Sequence, residues 1–156
     1  MILNCSINQN IVSAIQIYNI LVSSNQKPDI YVFESLAQII HNCKQYNQIN
    51  WLINEILKFH IKPTNKTFGT LLLSVAEIGD TENALKLFDL VKTKQWDLKL
   101  NAIDCSQLIQ SLRNAKPEYI IDLLNYMDQK HIILDETGYL CLLKVSEKII
   151  NCQLLI

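Results

Sequence analysis

The chain has 156 residues, 49% of them hydrophobic and 19% charged, which is enough apolar content for one continuous core and too much for a disordered segment. Three glycines and three prolines are too few to punctuate a sheet protein, so helices are expected. With 14 basic and 15 acidic residues the net charge is −1, so the basic excess usual in a dedicated nucleic-acid binder is lacking, which counts against strong, non-specific RNA binding.

In chain order, residues 1–29 read as an incomplete first unit that enters late in a helix and ends at Lys27-Pro28-Asp29. Residues 30–64 hold two helices, over Tyr31–Cys43 and Tyr46–Phe59, and end at Lys62-Pro63-Thr64, 35 positions after the first such junction. Residues 65–100 are the clearest unit. Phe68, Leu71, Leu72 and Val75 follow the i, i+3, i+4, i+7 spacing of one helix face. Gly79 closes that helix and Asp80 caps the next, which continues through Ala84, Leu85, Leu87, Phe88 and Val91. Residues 101–135 pair a helix over Ala102–Arg113 with one over Pro117–Lys130, where proline suits the first turn. Residues 136–156 begin a further unit, with the chain stopping inside its second helix.

Several independent markers agree on this period. Phe33 recurs as Phe68 and Ile61 as Trp96 at 35, Ala14 as Ala84 and Tyr18 as Phe88 at 70, and Phe68 as Tyr139 at 71. The last offset implies one extra residue near Leu98–Asn101. A helix pair this short cannot bury its apolar face alone, so the units must stack. The expected fold is therefore all-α: an α-solenoid of antiparallel helix pairs, with Phe33, Phe68, Leu71, Ala84, Leu87, Phe88, Leu108, Met127 and Tyr139 in its core. Trp51 and Trp96 read as packing residues, and His60 and His131 as structural residues at equivalent junctions.

The five cysteines form no CxxC pair and read as small buried hydrophobes of a reducing compartment. No apolar run reaches the length of a membrane span, and the N-terminus carries neither a signal-peptide head nor the arginines of a transit peptide. The sequence holds no phosphate loop, no HExxH, no GxSxG and no carboxylate cluster, so neither catalysis, a metal nor another cofactor is expected.

Thr67-Phe68-Gly69-Thr70-Leu71-Leu72, followed by Gly79-Asp80 and Ala84-Leu85-Lys86-Leu87-Phe88, resembles the pentatricopeptide repeat, as do the Lys-Pro-Asp and Lys-Pro-Thr junctions. The tetratricopeptide repeat has a period of 34 and is the runner-up. The run Leu142-Leu143-Lys144-Val145-Ser146 is similar to a stretch of the repeat domain of protein-only ribonuclease P. The resemblance covers the whole chain and implies single-stranded RNA bound on the concave face, one base per repeat. It assigns base reading to the fifth residue of each first helix and the last residue of the repeat. Those positions are Glu34 with Thr64, Gly69 with Lys99, and Cys105 or Ser106 with Asp135. The second position, which sandwiches the base, is Tyr31, Lys66, Ala102 and Thr137; Tyr31 suits stacking and Lys66 a phosphate. Only Ser106 with Asp135 is a usable pair, so the scaffold matches better than the code. Lys44, Arg113, Lys116 and Lys148 stand near the ends of first helices, either as ordinary solvated ends or as a loose basic edge.

The resemblance implies an RNA-binding segment of mitochondrial RNA metabolism or translation. An architectural subunit of a mitochondrial ribosome or another ribonucleoprotein is the alternative, and a protein-binding tetratricopeptide-like solenoid the third. In each case protein subunits or further repeats would cover the apolar ends.

Overall fold

A computed structural model of the chain describes residues 11–153. Among these residues there are eight α-helices and no strand. They are α1 (Ile11–Ser23), α2 (Ile30–Asn42), α3 (Ile49–Lys58), α4 (Asn65–Ile78), α5 (Thr81–Lys92), α6 (Ala102–Ser111), α7 (Pro117–Gln129) and α8 (Glu136–Gln153), with a single 3-10 turn, Tyr46–Gln48, leading into α3. The chain divides into two compact units, one up to Ser74 and one from Val75.

The first helix of each pair starts on a polar cap. The side chain of Asp29 accepts from the backbone N–H of Val32 at 3.0 Å, Thr64 from Thr67 at 3.1 Å, Asn101 from Asp104 at 3.0 Å and Asp135 from Gly138 at 2.8 Å. Asp104 also returns a carboxylate to the Asn101 N–H, completing a capping box. Each such bond satisfies a donor the helix cannot, and is worth about 1 kcal/mol.

The helices stop as regularly as they start. Asn25, His60, Lys94 and His131 end second helices in the left-handed region (φ 55°, 52°, 58° and 54°), and Lys44 and Gly79 end first helices there. Gly79 adopts this backbone without strain. The bulkier residues do not, so His60→Gly is expected to raise stability by about 0.5–1 kcal/mol, read as a later denaturation midpoint. A lower midpoint would show that the imidazole contributes more than its backbone costs.

In the first unit, α1 packs on α2 and α2 on α3. Phe33, Leu36, Ile40, Leu52 and Ile56 are fully enclosed. Tyr18 sits among aromatic rings, 6.0 Å from Phe33 and edge-on to Trp51 at 5.4 Å, and its hydroxyl donates to Glu55 at 2.6 Å. In the second unit, α5 and α7 both pack on α6, and α6 packs along α8. Phe88 meets Tyr126 edge-on at 5.4 Å, and Ala84, Leu87, Leu108 and Met127 are buried. Trp96 is buried, in keeping with its reading as a packing residue.

Two expectations require correction. Tyr139 is 53% exposed, whereas Phe33 and Phe68 at its register are buried. Phe33 lies between Tyr18 of α1 and Phe59 beside α3; Tyr139 has no following second helix of its own among the described residues. The reason is the second correction: residues 136–153 form one helix, without the break expected there. Nothing between Ser146 and Gln153 interrupts a helix in the way that Gly79-Asp80 does. Cys105 is buried as expected, but Cys43 and Cys141 are only half-buried. Cys5 and Cys152 lie outside the residues whose side chains are described.

Candidate nucleic-acid interface

The four caps give every first helix a common origin. Counting from Asp29, Thr64, Asn101 and Asp135, the fourth residue is Phe33, Phe68, Cys105 or Tyr139, and the fifth is Glu34, Gly69, Ser106 or Leu140. This settles Ser106, and not Cys105, as the fifth residue of α6. The Cys105 thiol is buried, and burial first, with Asp104 second, pushes its pKa up to about 12. It packs in the interior where the other pairs place phenylalanine.

The same count moves two other positions. Asn25 to Asp29, His60 to Thr64 and His131 to Asp135 each take four steps, but Lys94 to Asn101 takes seven. The extra residues place Lys99 in the loop, two positions ahead of the cap. Asn101 therefore ends the repeat where Lys99 was expected to. The second position of α6 becomes Ile103 and not Ala102, so the exposed set is Tyr31, Lys66, Ile103 and Thr137. Tyr31 is 72% exposed and Ile103 60%, large apolar groups in the first turn of their helices.

Most of the base-reading candidates are already engaged. Lys66 forms an ion pair with Glu34, so the fifth position of one helix neutralises the second position of the next. A lysine expected to meet phosphate thus carries a carboxylate beside it. Thr64 spends its hydroxyl capping α4 and Gly69 offers no side chain. The Ser106 hydroxyl donates to the Ala102 carbonyl at 2.8 Å and approaches the Asp135 carboxylate at 3.3 Å. Ser106 and Asp135 are thus brought together, as a reading pair requires, but Ser106 is buried beneath Gly138. A Cβ on Gly138 would stand 2.5 Å from the Ser106 oxygen, so only glycine permits that approach. Asp135 is exposed and caps α8.

In the second unit a cavity of about 470 Å³ is lined by Glu77, Gln110, Arg113, Thr137, Cys141 and Lys144. Arg113 donates to the carbonyls of Ala76 at 3.0 Å and Gln110 at 3.1 Å, closing the end of α4 under Gly79. Its charge remains, but its geometry is fixed by the helix end. Lys144 is exposed at the same cavity. Of the other three cations near the ends of first helices, Lys44 is a left-handed helix stop, Lys116 is the N-cap residue of α7, and the Lys148 side chain lies outside the described residues. Among the described residues no group of three or more His, Cys, Asp or Glu side chains is placed to hold a metal ion. No helix among them is long and apolar enough to cross a membrane.

Capped helix pairs that recur at this spacing define an α-solenoid of the pentatricopeptide type. Two solved structures share the fold. Nuclear proteinaceous RNase P 2 (PRORP2) from A. thaliana superposes over 93% of this chain with a TM-score of 0.74 and 15% identity. The pentatricopeptide repeat protein PPR10 from maize does so over 93% with a TM-score of 0.71 and 15% identity. The chain spans 33% of the first structure's length and 21% of the second's. No family model matches the sequence, and no curated protein matches it.

Proposed function

We propose that the chain is an RNA-binding helical repeat protein that holds single-stranded RNA by stacking and backbone contact, with little base reading, and that it acts in mitochondrial RNA metabolism or translation. The observation that carries this is the exposure of Tyr31 and Ile103 at one register of their helices, 72% and 60%. Both stand at the second position of their helices, where an exposed ring or branched aliphatic side chain offers a base a surface to stack on. The fold likeness to an RNase P, by name an enzyme acting on RNA, supports the same reading. So does the placement of Ser106 beside Asp135 at 3.3 Å, the two positions that pentatricopeptide proteins use together.

Weak base reading follows from what occupies those positions. Glu34 and Lys66 neutralise each other, Gly69 is bare, and Ser106 is buried. The role is one of binding, not catalysis. Titration against short poly(A), poly(C) and poly(U) should give affinities within a few-fold of one another, all falling as salt rises. A hundredfold preference for one polymer would contradict the reading.

The alternative, a subunit built into a larger ribonucleoprotein, is favoured by one observation. Leu143 is 64% exposed, although Ala37, Leu72 and Ile109 at the same count from their caps are buried. With Tyr139 and Leu140, it leaves an apolar face on α8 suited to protein subunits or further repeats.

A further inference from the structure

The loop that displaces Lys99 also builds a cavity. Between Lys94 and Asn101 the chain takes three more steps than at the other junctions, and the added length is held in place. Trp96 is buried and its N–H donates to the Leu90 carbonyl at 2.8 Å. Leu98 donates to the Trp96 carbonyl at 2.8 Å, a tight turn, and Leu100 is buried at the far end. This anchored loop and the end of α7 enclose about 440 Å³, within the ordinary range for small-molecule sites.

The lining is unusual for a chain of net charge −1. Lys92, Lys94, Lys99 and Lys130 converge on the cavity against one lining carboxylate, Asp97. Lys92 is offset by Asp122, 2.7 Å away. Lys94, Lys99 and Lys130 then outnumber Asp97, and like charges gathered in one cleft repel until an anion enters. Lysine serves such anions as a mobile point charge, which fits phosphate better than a planar carboxylate. The rest of the wall is apolar: Leu98, Tyr126 and Ile132 offer a surface for a flat ring. The Lys130 ammonium lies over the Tyr126 ring, 5.9 Å from its centre, so a flat ring placed against Tyr126 would have that charge beside it.

We infer that this loop cavity binds the polyphosphate of a small nucleotide, with its base against Tyr126. It is built by the second helices and their loop, and it needs none of the first-turn positions proposed to bind RNA.

Calorimetric titration of the chain with ADP, inorganic pyrophosphate and adenosine tests it. ADP should bind, pyrophosphate should bind more weakly for want of the ring contact, and adenosine should show no measurable binding. Lys94→Gly combined with Lys99→Ala, which removes two charges while keeping a residue suited to the left-handed turn, should weaken ADP at least tenfold. Asp97→Asn should strengthen it several-fold, a gain that a misfolded variant would not produce. Parent-like affinity in the double lysine variant would overturn the proposal, as would adenosine binding as well as ADP or weaker binding by Asp97→Asn. If ADP fails and a short RNA without terminal phosphates binds at these lysines instead, the cavity belongs to the RNA surface and the nucleotide site does not exist.

Discussion

Replacing Phe68 with alanine is expected to lower stability by about 3–5 kcal/mol, a large share of the 5–15 kcal/mol typical of a domain. Phe68 is 1% exposed and sits four residues after the Thr64 cap, in the layer that Phe33 and Cys105 fill in their own pairs. Alanine would leave a ring-sized void among side chains that cannot collapse without moving a helix. Tyr139, at the same register of α8, is 53% exposed, so its replacement by alanine should cost less than about 1 kcal/mol. Urea unfolding followed by helical circular dichroism checks both. Equal losses at the two positions would mean that the shared register does not decide burial as described.

The second large effect concerns binding. Tyr31→Ala should weaken single-stranded RNA by about tenfold, since removing one aromatic stacking surface costs about 1–3 kcal/mol, and Ile103→Ala should weaken it by a few-fold. Both side chains are solvent-exposed, so stability should change by less than about 0.5 kcal/mol, which separates a binding defect from unfolding. Salt dependence should be unaltered, because neither residue is charged. Lys99→Ala should leave RNA affinity unchanged, as Lys99 faces the loop cavity and not a helix cap. Fluorescence anisotropy with a labelled oligonucleotide measures all three; a strong Lys99 effect beside neutral Tyr31 and Ile103 would reverse the assignment.

The fold was legible in the sequence because its determinants are local and repeat. Gly79-Asp80 is a stop and a start in adjacent residues, and the structure gives them φ 67° and a 3.1 Å bond from Asn83. The spacing of Phe68, Leu71, Leu72 and Val75 fixes which face of α4 is buried: all four are enclosed, while Leu73, off that spacing, is exposed. The site was less legible because it depends on register and on distant partners. The loop after α5 lacks the Lys-Pro marker of the two junctions before it, so an insertion balanced by a shorter following pair reads in the sequence as one extra residue and puts Lys99 where Asn101 belongs. The expected helix start at Ala102 is correct, but the repeat boundary at residue 101 is the N-cap and not the first helical residue, which shifts the second position from Ala102 to Ile103. The pairing of Glu34 with Lys66 joins residues 32 positions apart and leaves no trace in either neighbourhood. Burial of Ser106 depends on Gly138, whose signal was a lone glycine three residues after a cap.

The central claim is that RNA lies against the first turns of the first helices. Ultraviolet cross-linking to uridine-rich RNA, followed by mass spectrometry of the attached peptides, tests it without altering the protein. The strongest cross-link should fall on Tyr31, with attachment also in the peptide carrying Ile103. Cross-links confined to α3, α5 and α7 or to the loop around Lys99, with Tyr31 unmodified, would contradict the account.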